Sequence, residues 1–498
     1  MAVGCVGGSL LLTVLIALLG PSAMVPNLPG SGPPPFWLDV RPGGHLVIGL
    51  AAAALILGAA GLFTGLYASR LPARALLVTG CAVAALLAFL PSFGSADHLN
   101  YAAYGRMVTL GLDPYVTVPA DLPGDPVLGS VEEWTTTPSV YGPVATAVQA
   151  FASWIGGDSV RLTVFVLAVV NAAAFVATAL LLHRATSQDP VRQGRAALLW
   201  TANPLVVYQL AAGMHVDTLA IAFMIAALVF RGRWVACGVL LGLGVAVKIT
   251  AGLVALGPAW EARRQLSRLA VVAGIAVAVA GVAYWLAGPH AFDQVLNASR
   301  SVSLATPWKL VQRGLQLGLG SGAYRVWIQL GSLILLAVLV WGLSRRFLSL
   351  DGRRFLSLDG RRSLSLDGRR SLPLDGPMVA VVFVVAWLFA TPYVLPWYDG
   401  LAFALLALVP ASALDGFLVV RLAALSLAYL PARQLGQPGD LGWLVDVVRA
   451  QVVPATLLGL TGALLWWTWR GAGRAARRPG SAAPLPSTPS PGSRSPSR

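Results

Sequence analysis

Apolar residues run along this chain in long blocks, separated by short polar connectors. A membrane-spanning helix needs about 20 mostly apolar residues, fewer where other helices surround it. On that measure the pattern predicts helices over 8–25, 44–68, 75–92, 160–182, 196–213 and 217–230. A broken pair follows at 234–247 and 250–260, then 268–288, 323–343, 377–395, 400–413, 416–431 and 447–469. The expected fold is all-α, a polytopic transmembrane bundle of about 12–14 membrane helices. The first block, "SLLLTVLIALLGPSAMV", resembles a signal-peptide core, but no Lys or Arg precedes it, so a first membrane helix is the preferred reading.

The connectors orient the blocks. Arg70 and Arg74 share one short loop, and Arg184, Arg192 and Arg195 another; Arg231 with Arg233, then Arg263, Arg264 and Arg268, mark two more. With alternating crossings all four fall on one side, together with Arg470, Arg474, Arg477 and Arg478 in the tail, and the positive-inside rule makes that side cytoplasmic. The loop 93–158 then faces outward. It carries Asp97, Asp113, Asp121, Asp125, Glu132, Glu133 and Asp158 against the single Arg106. The chain divides into a first helix and outer loop (1–43), a membrane core (44–343), a connector (344–376), C-terminal membrane helices (377–470) and a Pro/Ser-rich tail expected to be disordered (471–498).

Composition agrees. The 498 residues are 57% hydrophobic and 11% charged, with a mean hydropathy of +0.73; no soluble protein of this size reads that way. The net charge of +15 sits mainly in the connectors and tail, where it reports orientation. With the helices removed no compact basic fold is left, so nucleic acid is not an expected partner. Cys5, Cys81 and Cys237 lie in or beside apolar runs without metal-ligand spacing and read as small apolar residues.

From Arg345 the connector repeats an octapeptide, "RRFLSLDG RRFLSLDG RRSLSLDG RRSLPLDG". A period of eight fits no helical period, and each Asp-Gly is a turn signal, so a continuous helix is not expected there. It reads as a tandem duplication in a tolerant loop; eight arginines also suit anionic lipid headgroups.

The candidate chemistry collects on the outer side. "FGSADHLNYAAYGRM" places Asp97 and His98 where the third block ends. If the stretch is helical, Asp97, Tyr101 and Tyr104 share a face. A carboxylate backed by aromatic rings suits a sugar; the plain alternative is an acidic cap with interfacial tyrosines. Tyr115 and Tyr141 stand in turn-forming "DPY" and "YGP". His215 and Asp217, at the junction "GMHVD", are costly in so apolar a setting unless paired or wetted; their spacing does not imply a metal site. Lys248 is the only charge between Arg233 and Glu261, at the outer mouth of the broken pair, and reads as an anion ligand or as a snorkelling lysine. Trp397 and Tyr398, in "LPWYDG", make a second stacking platform or part of an aromatic belt. His290, Asp293, Arg300, Lys309 and Arg313, in the loop 289–322, could reach a phosphate.

A transporter should carry its polar groups near the midplane in repeated halves, and only the broken pair around Lys248 looks that way. A channel should repeat its pore-lining residues, and none recur. A long outer loop with an acid at its start favours an enzyme whose substrate is partly in the lipid.

"ADHLNYAAYGRMVTLGLDPY…YGP", "NPLVVYQLAAGMHVD", "GVLLGLGVAVK" and "PWYDG" together resemble actinobacterial polyprenol-phosphate-mannose-dependent α-1,6-mannosyltransferases, integral membrane enzymes of the GT-C class. The resemblance covers roughly 44–470 without the repeat. It implies a polyprenyl-phosphate-mannose donor, a mannan or lipid-linked mannan acceptor, and contact with membrane lipid. Asp97 matches the family's general base, and Lys248 and His215 match positions expected near the donor phosphate; Asp217 could be a second acid or the base itself. Metal-using relatives carry paired acids where "SADHLN" has one, which implies no metal or other cofactor. An arabinosyltransferase of the same class, or a transporter of a lipid-linked or sugar substrate, is the alternative.

Overall fold

The structure, a computed structural model, describes residues 1–476 apart from 31, 33, 69, 295–300, 358–374 and 434. Helices and turns account for it, with no strand among the described residues. Six helical segments are long and apolar enough to cross a membrane: Ala2–Leu19, Gly44–Leu66, Val160–Ala185, Leu266–Ala287, Arg325–Phe347 and Gly439–Arg470. Five shorter apolar helices accompany them, at Ala73–Leu87, Asp217–Val229, Trp234–Val247, Gly376–Ala390 and Pro396–Leu408.

Burial explains the two lengths. Gly376–Ala390 hides nearly every residue among its neighbours, so it need not match the thickness of the lipid. Leu266–Ala287 buries only Val272 and Tyr284 and turns Val277, Val282, Trp285 and Leu286 outward. So wide an apolar surface is stable against lipid and not against water. The protein is a multi-pass membrane bundle.

One expected helix, 196–213, is broken, and the break expected between 234–247 and 250–260 is found, each for a local reason. Within 196–213, Pro204 lacks an N–H, and the Asn203 side chain accepts from the N–H groups of Leu205 and Val206 at 3.1 and 3.2 Å, starting a new turn. In the second, Trp234–Val247 stops at Lys248, which is extended (φ −154°, ψ 114°), before a 3₁₀ stretch over Ile249–Ala255. The Gly142 N–H donates to the freed Val247 carbonyl at 3.0 Å.

The connector corrects one expectation. Helix Arg325–Ser357 runs unbroken through the first octapeptide copy, because a helix already nucleated by a long apolar span gains one hydrogen bond per added residue, enough to carry it past the Asp-Gly pair. The helix ends five residues into the second copy, at Ser357; the rest of the repeat up to 374 lies outside the described residues, as does the tail beyond Ala476, and helix Val453–Ala476 takes in the first residues of that tail.

The arginine-rich connectors gather at one end. Leu71 packs on Gly194. Arg195 grips Asp415 with two bonds of 2.6 and 2.8 Å. Glu261 takes Arg231 at 3.1 Å and the Gly376 N–H at 2.8 Å. Helix Asp399–Leu408 leads from that end, where the Leu408 carbonyl accepts from Arg192, to the opposite one, where the candidate residues meet.

Candidate functional site

Asp97 opens helix Asp97–Thr109, as the sequence predicts. This helix crosses Pro143–Gly156 so tightly that a Cβ on Gly105 would lie 2.1 Å from the Gln149 carbonyl. The crossing fixes Asp97, Tyr101 and Tyr104 with little play. Asp97 is 9% exposed, and its Oδ2 lies 3.5 Å from His215 Nδ1. Burial, and then the negative charge of Glu133, push its carboxyl up to about 7, against an opposing pull from Lys248.

His215 is fully buried. It follows Met214, which adopts a left-handed φ of 51°, a strained turn that aims the ring inward. Its face lies on Trp397, centroids 3.6 Å apart and planes 14° apart. Nδ1 also meets the Tyr101 hydroxyl at 3.4 Å. Burial, with the charge of Lys248 beyond, holds this imidazole well below its ordinary range, so it is neutral.

Asp217, two residues on, points elsewhere. It starts helix Asp217–Val229 and binds Lys248 Nζ through Oδ1 at 2.6 Å. The ammonium stands 3.9 Å over the Tyr398 ring, a cation–π contact in an apolar wall. Asp217, Lys248, Thr250, Trp387 and Tyr398 help to line a small cavity of about 20 Å³, room for one water.

The tyrosines divide. Tyr141 sets its edge on Tyr101, centroids 5.1 Å apart, and Tyr104 donates to the Thr137 carbonyl at 2.9 Å. Tyr115 is not brought to this centre: its hydroxyl meets Thr146 at 2.9 Å, and its ring packs with Tyr284 and Ala291. His98 is fully buried, neither ring nitrogen has a hydrogen-bond partner among the described residues, and burial with Arg433 nearby pushes it down to about 3. Trp397 gives one face to His215 and meets the edge of Tyr429 at 5.2 Å. The charges of 289–322 take other partners: His290 pairs with Asp113 at 3.1 Å, Lys309 donates to Gln312 and Arg313 to the Ala450 carbonyl; Arg300 lies outside the described residues.

Four further residues stand around Asp97 and His98, and the sequence singled out one of them. Glu133 acts on Asp97 by charge, as Asp97 does on Tyr393 and Tyr429. Arg433 pairs with Glu132 and donates to the Ser22 carbonyl at 2.7 Å. Of these, only Glu133 stood out beforehand, as one of several acids in a loop without periodicity. No three His, Cys, Asp or Glu side chains converge as metal ligands among the described residues.

Fold and site together define a polytopic helical membrane protein with a buried carboxylate, a neutral imidazole and an aromatic wall at one end of its bundle. The family model described as "Alpha-(1->6)-mannopyranosyltransferase, N-terminal domain" matches residues 1–264, more than half of the 498, and the chain belongs to that family. The chain is 32% identical over 187 residues to alpha-(1->6)-mannopyranosyltransferase A of Mycobacterium tuberculosis, covering 37% of this chain and 36% of that one. It is 26% identical to alpha-(1->6)-mannopyranosyltransferase A of Corynebacterium glutamicum over 34% of each. It is 29% identical to alpha-(1->6)-mannopyranosyltransferase B of the same organism, over 36% of this chain and 28% of that one. The aligned stretch thus spans about a third of the length of these relatives. Asp97, His215, Asp217 and Lys248 fall within the matched residues 1–264; Trp397 and Tyr398 lie beyond them.

Proposed function

We propose that this protein transfers mannose from polyprenyl-phosphate-mannose to the 6-hydroxyl of a mannan or lipomannan-type acceptor, with inversion, on the outer face of the cell membrane. One observation carries the reading: Asp97 is a buried carboxylate with no Lys or Arg paired to it among the described residues and an affinity for protons raised to about 7, the value a general base needs near neutral pH. Asp97 takes the proton of the acceptor hydroxyl as that oxygen attacks the anomeric carbon. The bond from that carbon to the phosphate oxygen breaks, and polyprenyl phosphate departs with the electron pair. Lys248, held in place by its 2.6 Å ion pair with Asp217, balances the charge that grows on the phosphate. A retaining path would need a second free carboxylate beside the first; Asp217 is engaged by Lys248, which supports a single base. Membership of the alpha-(1->6)-mannopyranosyltransferase family supports the sugar and the linkage.

The test is transfer in membranes holding matched amounts of wild type and Asp97→Asn. Each receives radiolabelled polyprenyl-phosphate-mannose and a short α-1,6-mannoside, with and without chelator. Transfer by wild type that survives chelator and is lost in the variant is the expected result. Full activity in the variant removes Asp97 as base and moves the role to Asp217. An inactive wild type that becomes active with an arabinose donor overturns the choice of sugar.

A further inference from the structure

The segment from Glu132 to Thr137 lies across the helix that carries Asp97. Asn100 Nδ2 donates to the Glu133 carbonyl at 3.0 Å, and the Tyr104 hydroxyl donates to the Thr137 carbonyl at 2.9 Å. Both donors stand within two turns of Asp97 on its own helix. Arg433 holds Glu132, and the charge of Glu133 reaches Asp97. Between these anchors the backbone places Trp134 in the left-handed region, at φ 59°. The indole is 54% exposed, whereas Tyr101, Tyr104 and Trp397 are buried. A bulky residue pays twice for this arrangement, once in backbone strain and once in apolar surface that the rest of the protein does not cover. Strain that persists beside an active centre, because the surroundings over-determine it, points to a use.

We propose that Trp134, beside the Glu133 carboxylate, forms an acceptor subsite in which the indole stacks on the apolar face of a pyranose ring of the acceptor chain. This rests on the mannosyl-transfer reading for the identity of the ring. An indole offers a large rigid surface at a low cost in side-chain entropy. A sugar one or more residues from the reacting hydroxyl, held there, fixes the acceptor's approach to Asp97 without touching the bond that forms. The subsite therefore serves affinity for a chain of several sugars more than the chemical step.

The test uses the full-length protein in lipid nanodiscs and measures direct binding of α-1,6-mannotetraose and, separately, of polyprenyl-phosphate-mannose. The proteins are wild type, Trp134→Ala and Trp134→Phe, with unfolding temperatures recorded for each. Trp134→Ala is expected to weaken mannotetraose binding roughly ten-fold and to leave donor binding unchanged, while Trp134→Phe keeps it within about three-fold of wild type. Equal tetraose binding by Trp134→Ala and wild type overturns the subsite. So does an equal loss of donor binding, which marks Trp134 as a membrane-belt anchor, and so does a wild type that binds no mannotetraose. The expected binding pattern together with a wild type that transfers no mannose in membranes leaves the subsite standing and overturns the transfer reading.

Discussion

The His215 imidazole lies flat on the Trp397 indole, 3.6 Å away, while its Nδ1 edge is turned to Asp97. The stack joins an element inside the family match to one far beyond it, and it sets how the only imidazole in contact with Asp97 among the described residues is presented. Trp397→Leu removes the plate and lets the ring tilt. The expected outcome is a fall in kcat of about ten-fold with little change in donor KM, while Trp397→Phe retains most activity. Steady-state kinetics in detergent or nanodiscs check it.

Activity should depend on pH through Asp97. In the proposed role of base Asp97 works when deprotonated, so kcat/KM rises through a limb near pH 7, where burial and Glu133 have moved this carboxyl. Glu133→Gln takes away a negative neighbour that raises that value, so the limb must move to lower pH. A pH–rate profile of the two proteins settles the sign; a limb that stays put excludes Asp97 as the titrating group.

Lys248 and Asp217 should respond unequally to single and paired replacement. Lys248→Met leaves a carboxylate 6% exposed without its cation, a loss of about 3–5 kcal/mol. Asp217→Leu together with Lys248→Met removes both charges and should recover most of that stability. It should not recover transfer, because the phosphate leaving group of the proposed reaction then lacks the cation of Lys248. Thermal unfolding and activity measured on the three variants separate the two effects.

Much of this was legible because it is local. Long apolar blocks, arginine-rich connectors and the interruption at Lys248 each follow from a few neighbouring residues, and so does a helix that starts at Asp97. What pairs with what was not. His215 and Asp217 stand two residues apart yet face Asp97 and Lys248 respectively, because His215 lies in the turn before helix Asp217–Val229 and Asp217 in its first turn. Tyr115 and Tyr141 occupy similar aromatic turns, and only the latter reaches the centre. Its neighbour Gly142 docks on the end of helix Trp234–Val247, a contact with no trace in spacing. The octapeptide misled for the opposite reason: its turn signal is real, but the preceding span outweighs it for the first copy.

Gly142 makes a prediction of its own. A Cβ there would sit 2.2 Å from the Ala246 carbonyl oxygen, a backbone atom that cannot swing aside. Gly142→Ala must push the 141–143 turn off the helix end, costing about 1–3 kcal/mol and drawing Tyr141 from Tyr101. Lower unfolding temperature together with reduced kcat is expected. An unfolding temperature equal to wild type shows that the close approach is not required.

Asp399 and Arg421 form an ion pair with almost no exposure. Arg421 lies inside a block that reads as plain apolar helix, and it also donates to the Leu388 carbonyl at 2.7 Å. Such a pair is expensive in an apolar bundle and is weak evidence for stability. Its place suggests another use, for Asp399 directly follows the short turn Pro396–Tyr398, which holds Trp397 against His215 and Tyr398 beneath Lys248. Tying Asp399 to the next helix fixes that turn. Arg421→Met alone strands a buried carboxylate and should destabilise by about 3–5 kcal/mol. Replacing both, with Asp399→Leu, should restore the unfolding temperature while kcat stays about ten-fold low, because the turn then moves. Full activity in the stable double variant means that packing alone positions the aromatic wall, and that the ion pair has no part in it.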